Sequence, residues 1–372
     1  MEFGIMFFSR QAATAGSDKY RLLLDAVKLA DRRGFCAVWT PERHFHDFGG
    51  LYPNPAVLGA ALAMVTRNLQ IRAGSLISPL HDEVRIAEEW SIVDNLSGGR
   101  AAISFGSGWN VDDFIFFPDR YAGRRAVMYG QVEAVRRLWR GETLVRPNSF
   151  GKPVEIALRP RPIQPELPVW ITSSGSDETF VNAGVHRANV LTHLIGQDLA
   201  GLAGRIELYR AALAEHHGAG QRGTVSLMLH TFLGDDLAAV RQRVRAPFRE
   251  YLRSAISLEQ LAAAGGGSIS GGHQVAAHAI PADAMEDLLD ITFERYADDN
   301  ALLGTPASCR RLVARLEDIG VDEIACLIDF IDDADAVIES MDHLETLRAA
   351  CAPSPQAPAP GEQLAAFLED IA

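Results

Sequence analysis

The sequence predicts an α/β fold, a (β/α)8 TIM barrel, and three observations support this prediction. Eight short runs rich in β-branched or aromatic residues occur along the 372-residue chain, and stretches with helical periodicity separate most of them. Eight strands are the number that closes such a barrel, whereas a doubly wound sheet usually has about five to seven. No dinucleotide fingerprint follows the first run, and Gly106-Ser107-Gly108, after the fourth, lacks the third glycine because Val111 occupies that position.

The predicted elements follow one another in βα order. In the helix after the fourth strand, Met128, Val132 and Val135 recur at helical spacing and form an apolar face that can pack on a sheet. The predicted strands are Glu2–Phe8, Ala37–Thr40, Leu69–Ile77, Ala101–Phe105, Pro168–Thr172, Asn189–Leu194, Val225–Leu233 and Glu323–Phe330. The predicted helices are Tyr20–Arg33, Asp82–Asn95, Arg124–Arg140, Asp198–His217 and Ala307–Asp318.

Two segments interrupt the alternation inside a predicted barrel domain of residues 1–350. Residues 141–167 contain five prolines and predict an excursion, a small hairpin, before strand 5. Residues 255–304 form an insertion after strand 7, and five glycines at positions 265–272 predict a loop at its centre. Because loops at that end of a barrel surround the active site, we predict that this insertion is a lid. Residues 351–372 predict a proline-rich linker and a short C-terminal tail.

Composition excludes several classes of partner. The formal charge of −13 disfavours binding to nucleic acid, because the protein repels polyanions. The four cysteines form no C-x-x-C pair, which fits a reducing compartment. The longest uncharged apolar stretch, Leu51–Thr66, contains two prolines and is too short to cross a bilayer, and the N-terminus has no cationic signal-peptide region. We therefore expect a cytoplasmic protein without a membrane or nucleic-acid partner.

The residues that follow the strands are the candidates for chemistry, because active sites of barrels lie at the carboxyl ends of the strands. His44 and His46 follow strand 2, where they could act as a general acid and base, bind a metal, or simply pack and cap a loop. Metal-dependent barrel hydrolases would also use His193 and Asp329, at the ends of strands 6 and 8. Strands 1 and 5, however, end in phenylalanine and serine, which are poor ligands, so we predict no metal.

Three motifs lie between strands 2 and 4. They are Thr-Pro-Glu-Arg-His-Phe-His-Asp at 40–47, Ala-Glu-x5-Asp-x-Leu-Ser-x-Gly-Arg at 87–100 and Gly-Ser-Gly-Trp-Asn at 106–110. Together with residues 173–184 and 303–306, they resemble the bacterial luciferase-like flavin monooxygenases, and the second motif is quite specific to that family. The resemblance covers residues 1–335. Residues 106–117 and 322–329 resemble the subgroup found beside polyketide and peptide synthetases in natural-product biosynthesis.

This resemblance implies a two-component enzyme. Its members bind reduced FMN (FMNH2) supplied by a separate flavin reductase, react it with O2 to a flavin C4a-hydroperoxide, and transfer one oxygen atom to an organic substrate. That substrate is a small molecule or is bound to a carrier protein. His44 matches the family's catalytic histidine, and because Phe45 follows it in place of a second histidine, no dyad is assumed. The resemblance also implies a homodimer formed through the helices after the early strands.

The resemblance assigns the cofactor phosphate to Ser176 and Thr179, at the start of the helix after strand 5. A simpler interpretation is that Ser176 only caps this helix, and the neighbouring Asp177 and Glu178 would repel phosphate unless they point away. Luciferase has an arginine after strand 4 that neutralises the phosphate. Gly106 occupies the matching position here, so Arg124 is the predicted substitute.

The resemblance assigns the flavin ring to residues at the ends of strands 3 and 4. Gly74-Ser75 matches a non-prolyl cis peptide that packs against the flavin in many relatives, and Trp109 and Asn110 match residues that line the flavin or substrate pocket. Trp109 could equally be a core residue. Two other functions remain open besides the metal-dependent hydrolase: hydride transfer with the deazaflavin F420, and flavin binding without catalysis.

Overall fold

The computed structural model of the protein describes residues 1–8, 18–46, 49–264 and 282–352, with side chains of the helices around the last gap described up to residue 254 and from residue 285. The strands are β1 (Glu2–Met6), β2 (Ala37–Thr40), β3 (Gln70–Ile77), β4 (Ala101–Gly106), β5 (Leu144–Pro147), β6 (Pro153–Ile156), β7 (Val169–Thr172), β8 (Asn189–His193), β9 (Val225–Leu233), β10 (Leu302–Gly304) and β11 (Glu323–Leu327). The helices are α1 (Arg21–Arg32), α2 (Pro55–Val65), α3 (Glu83–Ser97), α4 (Arg124–Arg140), α5 (Asp177–Val185), α6 (Leu199–His217), α7 (Leu237–Ala264), α8 (Ala282–Asp299), α9 (Pro306–Asp318) and α10 (Ala334–Ala350).

Eight parallel strands close into a barrel in the order β1-β2-β3-β4-β7-β8-β9-β11, and β11 pairs with β1 to complete the circle. All eight predicted strands and the predicted (β/α)8 barrel are thereby confirmed. The strands are almost entirely buried, because helices cover the outside and side chains fill the inside. The short strand β10 pairs in parallel with the end of β9, where β11 no longer reaches.

The predicted interruptions have the following structures. Residues 141–167 contain the antiparallel hairpin β5–β6, as predicted. The segment 255–304 is more regular than expected, because α7 continues to Ala264 and α8 and β10 occupy residues 282–304. The glycine-rich centre at 265–272, where we placed a loop and a lid, and the tail at 353–372 lie outside the described residues.

The five predicted helices are present, and α2 is a helix that the sequence analysis missed. Pro53, Asn54 and Pro55 indicate a break in the chain, but Pro55 occupies the first turn of α2, where no amide partner is needed. The side chain of Asn54 caps the helix by accepting a hydrogen bond from the Val57 amide at 3.0 Å. None of the described helices is long and apolar enough to cross a membrane.

The motif at 87–100 stabilises the fold rather than the site. The carboxylate of Asp94 accepts the backbone amides of Ile163 and Gln164 at 2.7 and 3.0 Å, which fixes the segment that leads into β7. The guanidinium of Arg100 donates to the backbone oxygens of Thr66 and Leu69, before β3. These contacts lie at the amino-terminal ends of the strands, opposite the expected active site.

A buried ion pair fills the interior of the barrel. Arg72 Nη1 lies 2.7 Å from Glu323 Oε2, and Trp39 Nε1 donates to Glu323 Oε1 at 3.0 Å. The Arg72 guanidinium lies 4.6 and 4.3 Å from the ring centroids of Trp39 and Trp170. Both charges are removed from water and depend on each other for compensation.

Candidate active site

Three neighbouring strands present a chain of hydroxyl groups at their carboxyl ends. Thr172 Oγ1, on β7, lies 2.7 Å from Ser75 Oγ on β3 and 2.7 Å from Ser104 Oγ on β4. The Gly74–Ser75 peptide bond is cis, as expected. A Cβ atom at Gly106 would lie 3.3 Å from the Ser75 side chain, so glycine is the residue that leaves this surface open. Ser104 and Thr172 were not among the predicted site residues.

The loop after β2 places His44 beside a buried carboxylate. His44 Nε2 lies 3.0 Å from Glu42 Oε1, and the same oxygen lies 2.6 Å from Nε2 of His81, which follows β3. The other Glu42 oxygen accepts the amide of Ile77 at 2.6 Å. Burial alone raises the pKa of Glu42, but the hydrogen bonds from His44 and His81 outweigh it, so this pKa lies below its usual value. Glu42 is therefore an ionised carboxylate that holds both imidazoles.

Arg43, which lies between Glu42 and His44 in the sequence, is also buried. Its guanidinium lies 5.0 Å from the ring centroid of Phe8 and 5.3 Å from that of Trp109. Burial raises the pKa of the nearby Asp113 to about 6, against the opposing effect of the Arg43 and His44 charges. Sequence reasoning missed Arg43 and Asp113. The position of Arg43 within the motif at 40–47 was the available signal, but arginine is so common in this chain that Arg43 was not singled out.

The structure gives Trp109 and Asn110 different roles. The indole of Trp109 is half-buried against Arg43, so it contributes to the site and not only to the core. Asn110 is buried; its amide nitrogen donates to Asp113 Oδ1 at 2.9 Å, and its oxygen accepts the Asp112 amide at the start of a 3-10 helix. Its polar atoms are thus used to fix the loop, and its contact with a flavin stays a prediction.

The start of α5 fits an anion. Ser176 is the N-cap residue, yet its side chain makes no capping hydrogen bond, so the simple capping interpretation does not hold. Asp177 pairs with Arg205 at 2.8 Å and Glu178 with Arg125 at 3.1 Å, which offsets the repulsion that these two carboxylates would exert on a phosphate. A helix of this length presents amides and a partial positive charge at its first turn.

The first turn of α4 lies next to the first turn of α5, because Arg125 bridges them through Glu178. Arg124 is the first residue of α4, and its contact with the phosphate stays a prediction. Its Nε donates to the Gly108 oxygen at 2.9 Å and its Nη1 to the Tyr121 oxygen at 3.0 Å. The residues at this end of the barrel fit the FMN that the family implies: a helix start with amides and an uncapped Ser176 for the phosphate, and an open surface at Gly106.

Two histidines on the opposite side of the barrel are neutral. Burial lowers the pKa of His193 to about 4 and that of His230 to about 3. The ring of His230 is surrounded by aromatic rings of Phe248, Tyr251 and Phe330. Asp329, which accepts the Phe8 amide and the Tyr52 hydroxyl, is likewise occupied within the protein. The described residues contain no group of three or more His, Cys, Asp or Glu side chains placed to bind a metal.

The closed parallel barrel carries a histidine, a buried arginine and an uncapped helix start at the carboxyl ends of its strands. These features define a (β/α)8 protein with a candidate site at that end. The model of the luciferase-like monooxygenase family matches residues 1–323. The chain therefore belongs to this family, whose members include flavin-dependent monooxygenases.

A relative and three solved structures are similar to this chain. The oxygenase component of the flavin-dependent trigonelline monooxygenase of Acinetobacter baylyi is 25% identical over 244 residues, which are 63% of this chain and 66% of the relative. The chain thus spans about two thirds of that relative's length.

The solved structures share the fold. Monooxygenase RslO1 of Streptomyces bottropensis has a TM-score of 0.76 and 23% identity, over 93% of this chain and 98% of its own. The oxygenating constituent of the Pseudomonas putida 3,6-diketocamphane monooxygenase, in complex with FMN, has a TM-score of 0.74 and 18% identity, over 95% of this chain and 100% of its own. An F420-dependent secondary alcohol dehydrogenase has a TM-score of 0.68 and 14% identity, over 95% of this chain and 100% of its own.

Proposed function

We propose that this protein is the oxygenase of a two-component flavin monooxygenase, which uses FMNH2 from a separate reductase and O2. The observation that carries this proposal is the placement of His44 and the anion-binding start of α5 at the same end of the barrel. The trigonelline relative, named as an oxygenase component, and the FMN-bound diketocamphane enzyme support it. Balanced, the reaction converts FMNH2, O2 and substrate into FMN, water and a product with one added oxygen atom.

The residues of this chain have separate tasks in that reaction. Bound FMNH2 would supply the two electrons that reduce O2. Ser176, Thr179 and the amides at the start of α5 would bind its phosphate. The packed group of Phe8, Arg43 and Trp109 would exclude water from the reacting region. His44 would hold or release a proton at its ring nitrogen as oxygen is transferred.

Labelled oxygen tests the proposal. Purified protein receives FMNH2 and 18O2 together with a panel of a long-chain aldehyde, a cyclic ketone and an N-methylpyridinium acid, and mass spectrometry follows the products. We expect one 18O atom in a product only when FMNH2 is present. Substrate reduction or oxidation with F420 and without 18O would favour hydride transfer. Tight flavin binding without turnover of any panel member, alone or as a carrier-bound thioester, would favour the non-catalytic alternative.

The subgroup motifs at 106–117 and 322–329 lead us to propose a role in natural-product biosynthesis, with a small-molecule or carrier-bound substrate. Comparing the acid of the panel with its pantetheine thioester tests the second point. A carrier-bound substrate would give a higher kcat/KM for the thioester, since the carrier arm adds binding energy far from the reacting atoms. Equal values would assign the enzyme to free small molecules.

The phosphate site predicts the effect of one hydroxyl. Thr179→Ala should weaken FMN binding by about 1 kcal/mol, which is about fivefold in Kd, because one hydrogen bond to the phosphate is lost. Titration of protein with FMN, followed by flavin fluorescence, measures this. Thr346→Ala, which removes an exposed hydroxyl on α10, serves as the matched control and should leave Kd unchanged. An unchanged Kd in Thr179→Ala would exclude the Thr179 hydroxyl from the phosphate site.

We also propose a homodimer through α2 and α3. These two adjacent helices leave five large apolar side chains exposed, and four of them are between 46% and 68% exposed: Val57 and Met64 on α2, and Ile92 and Leu96 on α3. The spacing within each pair places them on one helix face, and such a surface marks an interaction site.

Charge on that face should therefore dissociate the dimer. We expect Met64→Arg combined with Ile92→Arg to sediment as a monomer in velocity ultracentrifugation, while its circular dichroism spectrum stays that of the wild type. Phe150→Arg, at the exposed tip of the hairpin, is the control and should remain dimeric. A dimer that persists in the double variant would place the interface elsewhere.

A further inference from the structure

The group formed by Glu42, His44 and His81 connects the candidate site to the surface. The Glu42 side chain is fully buried, that of His44 is 9% exposed, and that of His81 is 24% exposed. Glu42 and His44 are only two residues apart, and Phe45 turns the chain immediately afterwards with φ at 56°. Two hydrogen bonds fix the backbone of His81, because its backbone oxygen accepts from Nη1 of Arg120 at 2.6 Å and from Nε2 of Gln131 at 2.8 Å.

The chemistry of the carboxylate determines where protons lie on the two imidazoles. An ionised carboxylate can only accept hydrogen bonds, so each Nε2 that contacts Glu42 Oε1 must carry a hydrogen. In the neutral state, His44 then has its lone pair on Nδ1. A rotated ring or the other tautomer would leave the buried Glu42 oxygen without one of its donors, which costs free energy.

His81 shares the oxygen that holds His44, so its charge acts on His44. Burial lowers the pKa of His81, but the hydrogen bond and charge of Glu42 outweigh this effect and raise it; Glu89 also raises it, and Arg120 lowers it. While His81 is protonated, it competes for Glu42 and repels positive charge on His44. Asp113 also interacts electrostatically with the charges of His44 and Arg43.

We propose that Glu42 is a positioning residue that fixes the Nε2-protonated tautomer of His44, so that Nδ1 exchanges the proton in the reaction, and that His81 adjusts the basicity of His44 through the shared oxygen. The catalytic part of this proposal rests on the proposed function. The tautomer itself does not, because it follows from contacts within the protein alone.

Nuclear magnetic resonance of protein labelled with 15N-histidine tests the proposal without cofactor or substrate. His44→Gln and His81→Gln assign the two rings by difference. In the wild type we expect the neutral form of His44 to carry its proton on Nε2. Glu42→Gln should shift His44 toward a mixture of tautomers and move the titration of His81 to lower pH. Glu42→Asp, which keeps the charge but withdraws the oxygens, should also redistribute the tautomers and replaces the first variant if that one fails to fold.

Glu89→Gln is the matched control. It removes a carboxylate that faces His81 from α3 but has no contact with His44. His81 should then titrate at lower pH, while the His44 tautomer stays unchanged. A wild-type His44 protonated on Nδ1, or equal tautomer populations in wild type and Glu42→Gln, would overturn the proposal.

Once an oxygenated product has been identified, kcat and its pH dependence test the catalytic part of the proposal. Glu42→Gln should lower kcat by roughly tenfold or more, with FMN Kd unchanged, because a misplaced proton on the base impairs proton transfer rather than binding. His81→Gln should move the pH profile of kcat and leave its maximum nearly unchanged. Expected tautomers in a protein that oxygenates nothing would reject the proposed function and leave the positioning role intact.

Discussion

Glu323→Ala should lower the free energy of unfolding by about 3 to 5 kcal/mol, the cost typical of breaking a buried ion pair from one side. The truncation leaves Arg72 charged inside the barrel, between Trp39 and Trp170, with no carboxylate to offset its lost hydration. It also removes the acceptor of Trp39 Nε1. Urea unfolding followed by tryptophan fluorescence measures the change, since two of the reporting indoles lie next to the substitution.

Two further variants distinguish an uncompensated charge from simple loss of packing. Arg72→Met combined with Glu323→Leu removes both charges and should recover part of the stability, because a buried ion pair exchanged for apolar side chains is often near neutral. Glu142→Ala, which breaks the exposed pair with Arg137, should leave the unfolding midpoint unchanged. A double variant as unstable as Glu323→Ala would attribute the loss to packing.

The barrel was predictable because its evidence is local. Each parallel strand is a short apolar run, and eight of them in sequence leave few alternatives. The helix α2 was missed because it is apolar on almost every side and so shows no polar face. Its Asn54-Pro55 start is a usual helix-start signal that the sequence analysis did not use. Helices α7 and α8 flank a glycine-rich segment whose composition dominated the sequence prediction for the whole region.

The site was predictable only in part, because its contacts join distant positions. The sequence indicated His44, but not that its partner His81 lies 39 residues from Glu42, on another loop. Such a contact exists only after β2 and β3 pair. Conversely, the motif most specific to the family, at 87–100, binds backbone groups through Asp94 and Arg100 and stabilises the fold. Specificity of a motif for a family therefore does not locate the chemistry.

His44→Ala should retain FMN binding and lower oxygenated product by roughly 100- to 10,000-fold, the range of general acid–base catalysis. The two properties separate because the structure places them on different elements. His44 lies in the loop after β2 and contacts Glu42, whereas Ser176 and Thr179 lie at the start of α5. Titration with FMN gives the Kd, and 18O-labelled product measured under FMNH2 saturation gives the turnover.

Peroxide released per FMNH2 oxidised completes this experiment, because it shows where the reducing equivalents go when transfer fails. We expect His44→Ala to consume FMNH2 and O2 and to release hydrogen peroxide in place of product. His186→Ala is the matched control: it removes an imidazole that stacks on Tyr129 at a ring distance of 4.7 Å, behind α5, and should leave both Kd and coupling as in the wild type. Equal losses of FMN affinity and turnover in His44→Ala would instead place His44 among the cofactor-binding residues, since a residue that acts on the proton alone has no reason to change the affinity for the phosphate.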